Sequence, residues 1–159
     1  MRRIAAIDVG TNTVMCLVAD VSQDGALTVV ADEERFARLG EDVDANGAFT
    51  EAAMDRVLDR LDEAKRTVHD LECEHLVIGA TSASREASNV GALVHRVREE
   101  LGLEYRVLTG EQEAEFTCRG TMSMVPDLRE AFVLDIGGGS TEIILWRRGA
   151  VLFQTSLDI

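Results

Sequence analysis

Lysine occurs once in the 159 residues, as Lys65, and proline once, as Pro126. Positive charge is therefore almost wholly arginine, and 16 basic side chains face 29 acidic ones for a formal net charge of −13. A surface this acidic argues against general affinity for nucleic acid or anionic membrane, since both are polyanions that basic side chains must neutralise. Long apolar runs are missing too. The longest, Val14–Ala19, falls far short of the roughly 20 residues that span a bilayer. Two arginines open the stretch MRRIAAID, but Asp8 interrupts its apolar run before it can serve as a signal-peptide core. Cysteine is scarce and odd in number: Cys16, Cys73 and Cys118 lack metal-ligand spacing and read as reduced, buried thiols. His69, His75 and His95 are equally scattered. These absences predict a cytoplasmic chain with neither a nucleic-acid nor a membrane partner.

What is present suits a globular core. Hydrophobic residues make up 46% and charged residues 28%, the ordinary balance of a folded domain, and a chain this long can bury roughly 70% of its unfolded surface. Strands are expected at Ile4–Val9, Thr13–Asp20 and Leu27–Phe36, with a turn at Ser22–Gly25. The stretch Gly40–Ala48 reads as an acidic loop. Thr50 is placed to cap a helix in which Met54, Val57, Leu58, Leu61, Ala64 and Val68 recur at helical spacing. A buried strand at Leu76–Ala80, the polar loop TSASREASN, a helix over Val90–Leu101 and a strand at Tyr105–Leu108 follow. Pro126 then marks a boundary. The alternation of strand and helix places the chain in the α/β class.

One pattern occurs twice. Asp8-Val9-Gly10-Thr11-Asn12-Thr13 is echoed by Asp135-Ile136-Gly137-Gly138-Gly139-Ser140-Thr141, each ending one strand and opening the next. A repeat this widely spaced points to a duplicated domain. Glycines let several backbone N–H groups converge on one oxyanion, and Thr11, Asn12, Thr13, Ser140 and Thr141 add side-chain donors. Neither aspartate can bind phosphate directly, because like charges repel; Asp8 and Asp135 can instead hold hydrated Mg²⁺ that bridges to phosphate oxygens. Read alone, either turn is equally an ordinary glycine hairpin.

Hydrolysis needs a carboxylate as well, to take a proton from water. Thr109 and Gln112 have the spacing of a capping box, which starts a helix carrying Glu111, Glu113 and Glu115 in its opening turns. Spacing does not choose among the three. Arg85, in the polar loop, has the fork geometry for a phosphate oxygen, though taken alone it reads first as a surface arginine paired with Glu86 or another acid.

Taken together, these segments resemble the N-terminal part of the exopolyphosphatase and guanosine pentaphosphate phosphohydrolase (Ppx/GppA) family, within the actin-like, ribonuclease H-like ATPase superfamily. AAIDVGTNTVMCLVAD resembles the family's first phosphate motif and ERFARLGEDVDANGAFTEAAMDRVLDRL its next segment. ATSASREASN, TGEQEAEF and LDIGGGSTE resemble three further motifs, in the family's order. The resemblance implies that Glu113 is the general base. It assigns Asp8, Gly10, Thr11, Asn12 and Thr13 to the first loop, Arg85 to a phosphate contact, and Asp135, Gly137, Gly138, Ser140 and Glu142 to the second phosphate and metal loop. Threonine at 11 and 13, where serine is common, keeps the hydroxyls. Glu115 stands where the family often has arginine.

The fold so implied is an actin-like domain with a mixed five-stranded sheet flanked by helices over residues 1–125. Residues 126–159 supply the opening three strands of a second such domain, incomplete at QTSLDI, with the family's site lying in the cleft between domains. The implied activity is Mg²⁺-dependent release of orthophosphate from inorganic polyphosphate. Alternatives are guanosine pentaphosphate 5′-phosphohydrolase and a phosphate-binding sensor without turnover. Residues 1–159 alone are expected to have little activity, and the unpaired strand edges of a partial sheet invite pairing with a second copy as a homodimer.

Overall fold

The computed structural model describes residues 1–41 and 43–158. The fold begins with an antiparallel meander of β1 (Arg2–Val9), β2 (Thr13–Val21) and β3 (Leu27–Phe36). Alternation along β1 and β2 buries Ala5, Ile7 and Val9 with Val14, Cys16 and Val18. Period-two patterning thus fixes the register Ile7↔Cys16 and Val9↔Val14, since a slip of one residue would turn the buried set to solvent. A short helix α1 (Val43–Asn46) precedes α2 (Glu51–Asp70). The Thr50 hydroxyl accepts the Ala53 N–H at 3.1 Å, satisfying one orphan donor of the first turn. Along α2 the stripe of Met54, Val57, Leu58, Leu61, Ala64 and Val68 is buried.

After α2, β4 (His75–Ala80) joins the sheet parallel to β1. Short helix α3 (Ser82–Glu86) and α4 (Val90–Leu101) follow, and α4 ends at Gly102, whose φ of 65° is the left-handed cap that favours glycine. Strand β5 (Arg106–Val107) closes a sheet of order β3-β2-β1-β4-β5. Parallel and antiparallel pairs coexist, so the mixed five-stranded sheet expected from the sequence is present. On β1, Arg3 forks onto both oxygens of Asp20, at 2.8 and 2.9 Å. That contact holds the Asp20 carboxyl below the usual carboxylate range.

Residues Met1–Val107 form one compact unit and Leu108–Ile159 a second. In the second, α5 (Gly110–Met124) packs on a three-stranded antiparallel sheet of β6 (Glu130–Ile136), β7 (Ser140–Arg147) and β8 (Ala150–Asp158). Ala114 and Cys118 of α5 share a core with Val133, Ile144 and Trp146. Compactness thus divides the chain at Val107/Leu108, upstream of Pro126, because α5 buries its apolar side with the strands that follow it.

Two segments read as loop are helical: α1 lies within Gly40–Ala48 and α3 within TSASREASN. Tyr105 belongs to the core rather than to a strand edge. Only 5% of it is exposed, and its hydroxyl lies 2.8 Å from that of Ser84. Burial pushes its phenol well above the usual range.

Candidate functional site

The first turn leaves β1 after Asp8 and Val9 and enters β2 at Thr13, closed by the Gly10 N–H donating to the Thr13 carbonyl at 2.9 Å. The second leaves β6 after Asp135 and Ile136 and enters β7 at Ser140, closed by the Gly137 N–H donating to the Ser140 carbonyl at 2.8 Å. The echo in the sequence is therefore an echo in hydrogen bonding. Among the described residues, the N–H groups of Thr11 and Asn12, and of Gly138 and Gly139, have no backbone acceptor. Nor do the side chains of Thr11, Asn12, Thr13, Ser140 and Thr141 make a hydrogen bond there. Each turn presents donors that the protein itself does not use, which is what an oxyanion needs.

The first turn is braced from its own unit. Ala37 and Arg38 donate their N–H groups to the Asn12 carbonyl at 2.9 and 2.8 Å, and Gly40 donates to that of Thr11 at 2.8 Å. Arg56 of α2 holds this bracing segment in turn, donating to the carbonyls of Ala37 (2.8 Å) and Arg38 (3.1 Å) and pairing with Glu41 at 2.6 Å. Neither Gly40 nor Arg56 was singled out by spacing; the bracing joins residues far apart in sequence, and no local pattern announces it. Arg85 lies on α3, not in a loop. The helix starts beside the first turn, because the Thr81 N–H donates to the Val9 carbonyl at 3.1 Å. Asp8, residues 10–13 and Arg85 are thus gathered at the carboxyl ends of β1 and β4.

The second turn is braced by side chains. Asp135 and Glu142 face each other across β6 and β7, and Ser156 of β8 lies opposite Glu142. Thr117 of α5 donates to Asp135 Oδ2 at 3.1 Å, and Ser156 to Glu142 Oε1 at 2.9 Å. Glu142 is only 7% exposed. Side chains opposite one another share a face of the sheet, so the two carboxylates stand side by side beneath α5. Mg²⁺ is commonly held by one or two carboxylates with water and substrate phosphate completing its shell, and this pair suits that role. Among the described residues no group of three or more His, Cys, Asp or Glu gathers to form a fuller metal site.

The capping box at the start of α5 is complete. Thr109 Oγ1 accepts the Gln112 N–H at 3.2 Å, and the Gln112 side chain accepts the Thr109 N–H at 3.0 Å. The three glutamates it introduces now differ. Glu111 and Glu115 are exposed, with Glu115 paired to Arg119 at 2.6 Å, whereas Glu113 is half-buried. Glu113 stands four residues before Thr117, hence on the same helix face as the hydroxyl that holds Asp135. The second unit therefore sets Asp135 and Glu142 beside the glycine turn and carries Glu113 on the face of α5 that supports Asp135.

Comparison with known proteins fits this pattern. The fold is shared with MreB5 of Spiroplasma citri bound to ADP, at a TM-score of 0.54 and 18% identity, over all of this chain and 53% of that one. The chain has the actin-like fold. A structure of an exopolyphosphatase from Cytophaga hutchinsonii matches far more closely, with a TM-score of 0.92 and 34% identity over 99% of this chain and 51% of that one. Among sequences, exopolyphosphatase 2 of Mycobacterium tuberculosis is 36% identical over 168 residues, covering the whole of this chain and 52% of that protein. The guanosine-5′-triphosphate,3′-diphosphate pyrophosphatase of Vibrio vulnificus is 33% identical over 155 residues, 98% of this chain and 31% of that protein. The model of the Ppx/GppA phosphatase family matches residues 17–159. The chain belongs to the Ppx/GppA phosphatase family. It spans about half the length, or less, of these relatives.

Proposed function

We propose that the chain forms the N-terminal part of an exopolyphosphatase, an enzyme that hydrolyses the terminal phosphoanhydride of inorganic polyphosphate. The observation that carries this reading is the second unit's arrangement: a half-buried Glu113 one helical turn from Thr117, whose hydroxyl holds Asp135 beside Glu142 and the glycine turn. In this reading Glu113 takes a proton from a water molecule. The water oxygen then bonds to the terminal phosphorus as the bridging P–O bond breaks. Orthophosphate leaves, and the polyphosphate is one unit shorter.

The N–H groups of Gly138 and Gly139 and the hydroxyls of Ser140 and Thr141 would bind phosphoryl oxygens at the second turn, Gly137 closing it. At the first turn Gly10, Thr11, Asn12 and Thr13, with Arg85 beside them, would do the same. Asp135 and Glu142 would hold Mg²⁺ at the second turn, and Asp8 would do so at the first; such an ion, when bound, neutralises charge on phosphoryl oxygens. The repeat itself supports residues 1–125 as the first actin-like domain in chain order, with α5 as its final helix, and 126–159 as the opening of the second. No described helix is long and apolar enough to cross a membrane. A cytoplasmic location, a lack of nucleic-acid and membrane partners, and association into a homodimer belong to the same proposal.

Guanosine pentaphosphate is the second substrate reading, favoured by the likeness to the Vibrio vulnificus pyrophosphatase. Phosphate release by the full natural polypeptide, assayed on polyphosphate and on guanosine pentaphosphate, separates the two. Calorimetric binding of either without release would mark a sensor and end the enzymatic reading.

A further inference from the structure

We propose that Gly40 is a positioning residue that sets the side chain of Thr11, and thereby the phosphate-binding hydroxyl of the first turn. The inference deepens the functional reading above and rests on it for the identity of the ligand. Gly40 is not among the glycines at positive φ, so its backbone conformation is open to any residue. What a side chain would lack there is space. A Cβ placed on Gly40 would lie 2.2 Å from Thr11 Cγ2, while Thr11 Cβ and the Thr11 carbonyl oxygen stay at ordinary distances of 3.4 and 3.5 Å. The conflict is with one methyl group alone.

That methyl is what ties Gly40 to the site. Threonine is β-branched, so its methyl and hydroxyl turn together about one stiff torsion. Seating the methyl over Gly40 chooses the rotamer, and the rotamer chooses where the hydroxyl points. Among the described residues that hydroxyl has no protein partner. The segment beneath it is poorly placed to retreat: Ala37 and Leu39 are buried, Gly40 donates to the Thr11 carbonyl at 2.8 Å, and Arg56 grips the carbonyls of Ala37 and Arg38. A methyl added at Gly40 is therefore relieved most cheaply by turning Thr11, which swings its hydroxyl through about 120° to the next staggered well. Serine at position 11 has no methyl to displace, which makes the two positions a coupled pair.

The test is a cycle of Gly40→Ala, Thr11→Ser and the double variant in the full natural polypeptide, read by phosphate release from polyphosphate and by the Thr11 methyl resonance and its coupling constants. Gly40→Ala is expected to shift the Thr11 rotamer and raise KM for polyphosphate about 10-fold, as a displaced binding group does, with the melting temperature little changed. Thr11→Ser sets its own reference level, and the double variant should match it, because without the methyl Gly40→Ala has nothing left to displace, a cancellation that only coupled residues show. An unchanged rotamer in Gly40→Ala overturns the inference, as does a double variant that falls below Thr11→Ser by the same factor by which Gly40→Ala falls below the parent. A rotamer shift in a protein that releases no phosphate from either substrate would leave the Gly40–Thr11 coupling standing and defeat the functional reading instead.

Discussion

The two turns are closed by the same backbone bond, yet they are supported in opposite ways. The first carries side chains at Thr11, Asn12 and Thr13, and its rigidity is imposed from outside by the N–H groups of Ala37, Arg38 and Gly40. The second carries glycines, and is held from beneath through Asp135 and Glu142 by hydroxyls of α5 and β8. The two turns thus share the hydrogen bond that shapes them, while the residues that brace them differ. Chemistry follows the difference: both turns offer N–H groups and hydroxyls, but the first adds the Asn12 amide, whereas the second sets its glycines beside the Asp135–Glu142 carboxylate pair.

The sharpest test of that division is Glu113→Gln in the full polypeptide. Phosphate release should fall about 10²–10⁴-fold, the usual worth of a positioned general base, while calorimetric binding of polyphosphate persists. Glu111→Gln and Glu115→Gln should keep nearly full rates, and an equal loss at all three would remove Glu113 from its role. Next in size is Thr117→Val. It strips Asp135 of its donor, and the Mg²⁺ concentration for half-maximal rate should rise about 10-fold, as when a ligand's supporting hydrogen bond is lost. A Mg²⁺ response identical to the parent's would detach α5 from the carboxylate pair.

A smaller effect separates the turns directly. A Cβ on Gly137 would meet the Ser140 carbonyl oxygen at 3.1 Å, against 3.6 Å between Gly10 and that of Thr13. Gly137→Ala should cost about 1 kcal/mol of stability through overpacking, whereas Gly10→Ala should be nearly neutral. Denaturant titration of each variant decides it, and equal losses would erase the asymmetry. Acid should expose a last, slight difference. Arg3 depresses Asp20, and Arg35 depresses Glu33. Groups depressed on folding stabilise above the ordinary carboxylate range and lose that contribution as pH falls through their folded values. Asp20→Asn should therefore lower the melting temperature of Met1–Val107 slightly near neutrality and flatten the acid limb of its profile, variant and parent converging at low pH.

Much of this was legible in the residues. Period-two burial along β1 and β2, the Thr50 and Thr109 caps and the bounds of α4 follow local rules, and the doubled Asp-x-Gly pattern located both turns. Helix α3 escaped because Ser82, Ala83 and Ser84 are buried small residues, which leave no hydrophobic period to read. The choice among Glu111, Glu113 and Glu115 escaped because all three suit the positive end of a helix equally well. Only packing distinguishes them. The seating of Thr11 on Gly40 joins a turn to a segment beyond β3, and local patterning carries no trace of it.

The scarcity of aromatic residues has a practical side. Tyr105 is the chain's one tyrosine and Trp146 its one tryptophan; each is buried, and each lies in a different compact unit. The chain thus has a private chromophore in each half. Indole emission follows the exposure of the β7 core, and the phenol's spectrum follows loss of the Ser84 contact. Unfolding of the two halves can be resolved optically without attaching any label.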